Sequence, residues 1–146
     1  NQVCVCLSAD HKTTINIKNR KAFTLSFADA AHVKEADYLG IVSGNKVPDK
    51  LAKAGLHPVK SEFVDAPLIE ELPMALECRL IKITEDGDVI GEIVNVSADE
   101  KILDGQGKIS PALFQPITFD PVNNAYLTLG GKVGNAFHDG MELKES

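Results

Sequence analysis

Tryptophan is absent from the 146-residue sequence, aromatic residues make up only 5% of it, and there are three cysteines, an odd count. No apolar run approaches the roughly 18 residues that a membrane-spanning helix needs, and no signal-peptide pattern is present. Cys4 and Cys6 alternate with valines, and Cys78 lies in another apolar run. We therefore expect reduced, buried thiols in a cytoplasmic protein that has no membrane segment.

Recognisable metal, nucleotide and catalytic motifs are also missing. The Cys4-Val5-Cys6 pattern has no second Cys or His pair at a suitable spacing, so we expect no metal site. Neither GxGxxG nor GxxxxGK[ST] occurs, which disfavours a Rossmann fold and a P-loop. The four histidines are scattered and form no Ser/His/Asp constellation, so the catalytic residues remain unknown. A net charge of −6 and a pI of about 5.1 argue against nucleic-acid binding, which favours a basic surface.

Strand patterns dominate what is present, and the length suits one domain covering residues 1–146. Two alternating segments, Ala75–Thr84 and Val89–Ser97, flank an acidic turn and predict a β-hairpin. Gly91 lies inside the second segment and indicates a bulge or a close approach. Short strands joined by hairpins, with short helices in the connections, predict a mainly β fold: a closed or nearly closed antiparallel barrel.

The stretch from Val3 to Phe27 reads as strand, turn, short helix and strand. Thr13 or Thr14 is expected to cap the helix, and free backbone N–H groups beyond the cap would attract an anion. No acidic residue occurs between positions 11 and 28, although the chain as a whole is acidic. The cations available to a phosphate are Lys12, Lys18, Arg20 and Lys21. The alternative is an ordinary capped surface helix with solvated lysines.

A second candidate anion contact is Lys50. Pro48 suits the start of a short helix over Asp49–Ala54, and Gly55 suits its end. A lysine in the first turn opposes the helix dipole, which favours an ammonium group that meets an anion near the helix end. A plain exposed lysine is the alternative reading.

The order of several local patterns resembles that of the flavin reductase-like family, which includes the flavoredoxins. The matching segments are VCVCLSADHKT followed by AFTLSF, YLGIVSGNKVPDK, VDAPLIE, LPMALECRL, VIGEIVNV, YLTLG and GNAF. The resemblance implies one flavin reductase-like domain, an FMN-binding split β-barrel that forms a homodimer with FMN at the subunit interface. Members of this family usually carry a further segment before Val3 that also contacts FMN, so we expect one in the full-length protein.

The resemblance also implies which residues meet the cofactor. The family's strand-to-turn region along the flavin corresponds to Cys6, Leu7 and Ser8, and its phosphate region corresponds to His11, Lys12 and Thr13. The position of His11 is often arginine in the family. A second family signature corresponds to Ser43-Gly44 and Asp49-Lys50, from which we take Ser43 and Lys50 as FMN contacts.

The function implied is an FMN-dependent oxidoreductase. Electrons would pass from NAD(P)H or a protein donor through FMN to free flavin, another protein or a small acceptor. Two alternatives stay open: a non-enzymatic flavin-binding electron carrier, and a β-barrel that has lost its cofactor.

Overall fold

The computed structural model describes residues 1–144. Eight strands lie in this part of the chain: β1 Gln2–Cys6, β2 Ala22–Phe27, β3 Pro58–Lys60, β4 Pro67–Ile69, β5 Met74–Ile83, β6 Asp88–Ala98, β7 Ile117–Asp120 and β8 Ala125–Thr128. The α-helices are α1 Lys12–Arg20, α2 Val33–Ile41, α3 Lys50–Lys53 and α4 Pro111–Phe114. Three 3₁₀ turns cover Ala30–His32, Glu100–Ile102 and Asp139–Leu143. The predicted mainly β fold with short helices is confirmed.

Four strands form the main sheet, in the order β1-β6-β5-β2, and every pairing in it is antiparallel. The sheet curls into a half-barrel, with β1 and β2 as its outer strands. Two small hairpins, β3–β4 and β7–β8, lie outside this sheet. Within residues 1–144, β1 and β2 do not pair with each other, so the described sheet is open rather than closed.

The predicted β5–β6 hairpin is confirmed, and it forms the centre of the sheet. Its register shifts between Leu80 and Lys82, where β5 carries one extra residue opposite β6. Gly91 pairs with Leu80 beside this bulge. A Cβ atom at Gly91 would lie 2.5 Å from Cζ of Phe23, so the predicted close approach is confirmed.

The core is formed by Ile17 of α1 together with Phe23, Cys78 and Val89 of the sheet. Partly buried apolar side chains of the strands surround these four residues: Val3, Val5, Leu7, Leu25, Leu76, Leu80, Ile83 and Ile93. Within β1 the valines face this core. Strand alternation therefore turns the intervening cysteines outward.

The prediction of three buried thiols is consequently wrong for two of them. Cys4 and Cys6 are exposed, whereas Cys78 is fully buried, and all three are free. The alternation itself was read correctly, but the sequence did not show which face of the edge strand would be covered.

A buried acid joins the β3–β4 region to the sheet. The side chain of Glu77 in β5 is almost fully buried, and its carboxylate accepts hydrogen bonds from Asn95 (2.6 Å) and from the Ser61 hydroxyl. Ser61 Oγ in turn accepts from the backbone N–H groups of the next turn, each at 3.0 Å. These bonds satisfy a carboxylate that would be costly to bury unpaired.

Residues 28–37 contribute a 3₁₀ turn and the first part of α2. The helix predicted after Pro48 differs in detail. Helix α3 is shorter than predicted, with Asp49 as its N-cap residue, and Gly55 follows with φ of 71°. Helices as long and apolar as a membrane crossing requires do not occur among the described residues.

We expect Gly91→Ala to destabilise the fold by about 1–3 kcal/mol, because the new methyl group would overlap the Phe23 ring. Urea denaturation of the full-length protein measures this loss. Gly105→Ala is the matched control, since no atom lies within 4 Å of the position that its new methyl group would take and its φ is not left-handed. Equal stability of the two variants would contradict the close packing of Phe23 on the sheet.

Candidate functional site

Strand β1 is followed by a tight turn, and α1 begins directly after this turn. The N–H of His11 donates to the carbonyl of Ser8 (3.2 Å), and His11 occupies the N-cap position with an extended backbone. The predicted threonine cap is therefore wrong. Thr14 is buried, and its hydroxyl donates a hydrogen bond to Ser8 O (2.7 Å). This bond stabilises the turn that precedes α1.

The first turn of α1 keeps the features of an anion site. His11 makes no side-chain capping bond, and no acidic residue lies in this turn. The N–H groups of Lys12, Thr13 and Thr14 therefore point out of the helix end without a capping side chain. They carry the positive end of the helix dipole, and α1 has nine residues over which that dipole accumulates.

A second loop, far away in the sequence, packs against this turn. Asn45 donates from its side chain to the carbonyl of Asp10 (3.1 Å). Gly44 lies beside Lys12: a Cβ atom at Gly44 would be 3.5 Å from Lys12 Cβ and 3.8 Å from Lys50 Cε. The structure therefore brings together the segments that contain Ser8–Thr13 and Ser43–Lys50.

Within this group Lys50 has a structural partner that the sequence did not indicate. Its ammonium donates to the carbonyls of Leu39 (2.8 Å) and Val42 (2.9 Å), at the C-terminal end of α2. This explains a lysine in the first turn of α3, because a cation is favourable at the negative end of a neighbouring helix. An ammonium has three donors, so one N–H of Lys50 remains for another acceptor.

The end of β1 lies next to the β5–β6 turn. The Cys6 thiol donates to Asp88 Oδ1 (2.9 Å), and a Cβ at Gly87 would lie 3.2 Å from Leu7 O. The hydrogen bond to Asp88, and then the charge of that carboxylate, raise the pKa of the Cys6 thiol. Cys6 is therefore held as a neutral thiol, which makes it a poor nucleophile.

The four cations proposed for one phosphate are not gathered at one place. Lys12 lies at the N-terminal end of α1, and the nine-residue helix puts Arg20 about 12 Å away along the axis. Lys18 and Lys21 also lie towards the C-terminal end of α1, and Arg20 forms a salt bridge with Asp65 (2.8 Å). Of these four cations, only Lys12 lies in the first turn of α1.

Sequence reasoning did not identify Asn45 and Asp88 as neighbours of the site, because each contacts it from a distant part of the chain. It also missed the pair formed by His57 and Glu71, 14 positions apart. Glu71 accepts from the His57 backbone N–H (2.9 Å) and pairs with the His57 ring. These contacts lower the pKa of Glu71, and the hydrogen bond to Glu71 raises the pKa of His57.

Together with Glu70 they form a group of three possible metal ligands. In residues 1–144 it is the one group of three or more His, Cys, Asp or Glu side chains whose ligand atoms all lie within 4.8 Å of one another. Glu71 already contacts both the backbone N–H and the ring of His57. We therefore interpret the group as an ion pair that links β3 to the end of β4.

We expect Lys50→Met to lower the free energy of unfolding by about 1–2 kcal/mol, because two carbonyls at the end of α2 would lose a charged donor. Lys53→Met in the same helix is the control. It removes only an exposed ion pair with Asp49, worth about 0.5 kcal/mol or less. Thermal or urea unfolding compares them, and similar losses in both variants would argue against the capping role of Lys50.

Solved structures with this fold are known. The chain is 40% identical to flavoredoxin of Desulfovibrio vulgaris (Miyazaki F), with a TM-score of 0.91 over 95% of this chain and 75% of that one. It is 30% identical to flavoredoxin from Methanosarcina acetivorans, with a TM-score of 0.88 over 97% and 76%. An FMN-binding domain of a flavin reductases-like enzyme from Shewanella baltica OS155 shares the fold at 19% identity, with a TM-score of 0.78 over 92% and 73%.

The family model described as "Flavin reductase like domain" matches residues 1–122. The chain spans about half the length of the curated relatives it matches. The matched residues include β1, the whole of α1 and the loop around Gly44, so the match covers the candidate site. The chain belongs to the flavin reductase-like family.

Proposed function

We propose that this protein binds FMN and acts as an oxidoreductase, passing electrons from NAD(P)H or a protein donor to free flavin or another acceptor. The observation that carries the proposal is the uncapped first turn of α1, which is held against the loop at Gly44 with Lys12 between them. Family membership, and the shared fold of the FMN-binding domain from Shewanella baltica, support a flavin phosphate as the anion that binds there.

The residues present fit a phosphate group. The N–H groups at the start of α1 and the hydroxyl of Thr13 offer neutral donors, and Lys12 offers a positive charge. The Lys12 ammonium has no ion-pair or hydrogen-bond partner within residues 1–144, and Lys50 has one N–H to spare. His11 adds a ring that is only partly charged near neutral pH, and the Ser43 hydroxyl lies on the facing loop.

The flavin ring would lie along the edge formed by Cys6, Leu7 and Ser8. When bound, FMN supplies the hydride and electron transfer itself. The chain's own contribution would be to hold and orient the ring with backbone groups. The one hydrogen of the Cys6 thiol is donated to Asp88, so Cys6 is held neutral beside this edge and adds no competing nucleophile.

We also propose a homodimer in the cytoplasm. Three apolar side chains outside the main sheet, Val122, Val133 and Phe137, are at least 85% exposed, which favours their burial against another chain. The three free cysteines favour a reducing compartment.

We expect the full-length protein to retain about one FMN per chain after incubation and desalting, seen as flavin absorbance in the visible spectrum. A colourless protein would contradict the proposal and leave a barrel without a cofactor.

Light scattering on the same sample gives the molecular mass, and a monomeric mass for the flavin-loaded protein would contradict the dimer.

Lys12→Ala should weaken FMN binding by about tenfold or more, because a charge-assisted contact to the phosphate would be lost. Lys18→Ala is the matched control: it removes the same charge from the same helix, but about 9 Å along the axis from Lys12. Fluorescence titration gives both dissociation constants. Equal affinities in the two variants would place the phosphate elsewhere.

The open position of the site favours a second candidate, an electron carrier without a small-molecule substrate. Ser8, His11, Lys12 and Thr13 are all exposed, so a redox protein could reach the flavin edge directly. Steady oxidation of NADH or NADPH by the flavin-loaded protein, with free flavin as acceptor, is the expected result for the enzyme. Flavin reduction by a protein donor alone would favour the carrier.

A further inference from the structure

A cleft of about 530 Å³ lies between α1, β2 and the β3–β4 hairpin. The loop at Gly44 does not border it. Three buried side chains of its wall are apolar: Ile17, Ala22 and Phe23. A cleft of this size and apolar content is typical of sites for small organic ligands.

The rim of the cleft is polar and carries several unused donors. Thr13, Asn16 and Arg20 follow one another along one side of α1, and Lys60 contributes to the rim from β3. Within residues 1–144, the side chains of Thr13, Asn16 and Lys60 make no hydrogen bond or ion pair. The rim therefore offers donors to a ligand without first having to break internal contacts.

Arg20 is the exception, because it pairs with Asp65 at the rim. Both hydrogen bonds of this pair use Nη1 alone, at 3.0 and 2.8 Å to the two carboxylate oxygens. The planar guanidinium has further donors on Nε and Nη2, which suit a second carboxylate. Both side chains are more than 60% exposed, so the pair is held weakly and can be exchanged.

The charge of this rim contrasts with that of the whole chain. Arg20 and Lys60 meet only one acid, Asp65, among the residues that line the cleft, in a protein whose net charge is −6. A cation-bearing rim over an apolar wall matches a ligand with a flat apolar body and one negative group. Electrostatic attraction would orient the charged end, and burial of the rings would supply most of the affinity.

We propose that this cleft binds small aromatic carboxylates, with the rings against Ile17 and Phe23 and the carboxylate on Arg20 in place of Asp65. The carboxylate-binding end of this cleft is separate from the proposed flavin site. Of the residues assigned to the flavin, only Thr13 also borders the cleft, and Arg20 lies at the other end of α1 from Lys12. The proposal therefore does not depend on flavin binding.

The test is calorimetric titration of the full-length protein with 2-naphthoate. We expect saturable binding that Arg20→Gln weakens about tenfold or more, because the carboxylate would lose its cationic partner. Lys18→Gln is the matched control and should leave the affinity within about twofold, since an exposed charge outside the cleft is largely screened. The neutral analogue 2-naphthalenemethanol should bind more weakly than 2-naphthoate. An absence of saturable binding, or equal binding of the neutral analogue, would overturn the proposal.

Asp65→Asn distinguishes ligand binding by Arg20 from a purely structural role of the Arg20–Asp65 pair. If Arg20 receives the ligand, removal of its competing carboxylate should tighten 2-naphthoate binding several-fold. If the Arg20–Asp65 pair merely holds the cleft together, Asp65→Asn and Arg20→Gln should weaken binding alike, and the proposal fails.

The titration is repeated with FMN-saturated protein, and flavin absorbance is recorded for each variant. Unchanged 2-naphthoate affinity supports a separate site. Displacement of 2-naphthoate by FMN would show that the cleft belongs to the flavin site, which contradicts the proposal. Because flavin retention is measured independently, failure of the flavin proposal and failure of this one give different results.

Discussion

The contact of Ile17 with Phe23, Cys78 and Val89 holds helix α1 on the curled sheet. Burial of each such side chain contributes about 1.5–3 kcal/mol, so this small core can fix a nine-residue helix that would not be stable alone. Both ends of α1 are positioned by the same contact. One end meets the loop at Gly44, and the other brings Arg20 to Asp65. The two proposed ligand sites thus depend on one packing interaction.

Polar side chains fix the irregular segments around this core. Lys50 satisfies carbonyls at the end of α2, Asn45 satisfies the carbonyl of Asp10, and Glu77 is itself satisfied by Ser61 and Asn95. Backbone groups and buried acids that lack partners are expensive, so these few bonds give the loops defined positions. The loops that lie against the start of α1 and the end of α2 are consequently held in place by these hydrogen bonds.

The periodic parts of the chain were predictable. The β5–β6 hairpin, the close approach at Gly91 and the strand-turn-helix at the start follow from local patterns, because alternation and turn chemistry act over a few residues. The predictions that failed each needed knowledge of a distant neighbour or of the covered face. The exposure of Cys4 and Cys6 depends on which face of β1 the core covers, and Thr14 turns inward to Ser8 because it is buried.

The amino-acid sequence by itself determined the strands, the short basic helix that contains no acidic residue, and the resemblance to the flavin reductase-like family, since these rest on local order and composition. The tertiary structure alone decided which cations share a site. In the fold, Lys12 lies beside Gly44 and Lys50 donates to carbonyls at the end of α2. Arg20 forms a salt bridge with Asp65 at the opposite end of α1. The reason is geometric: nearness in sequence along a helix becomes separation along its axis, whereas packing brings together residues that are far apart in the chain.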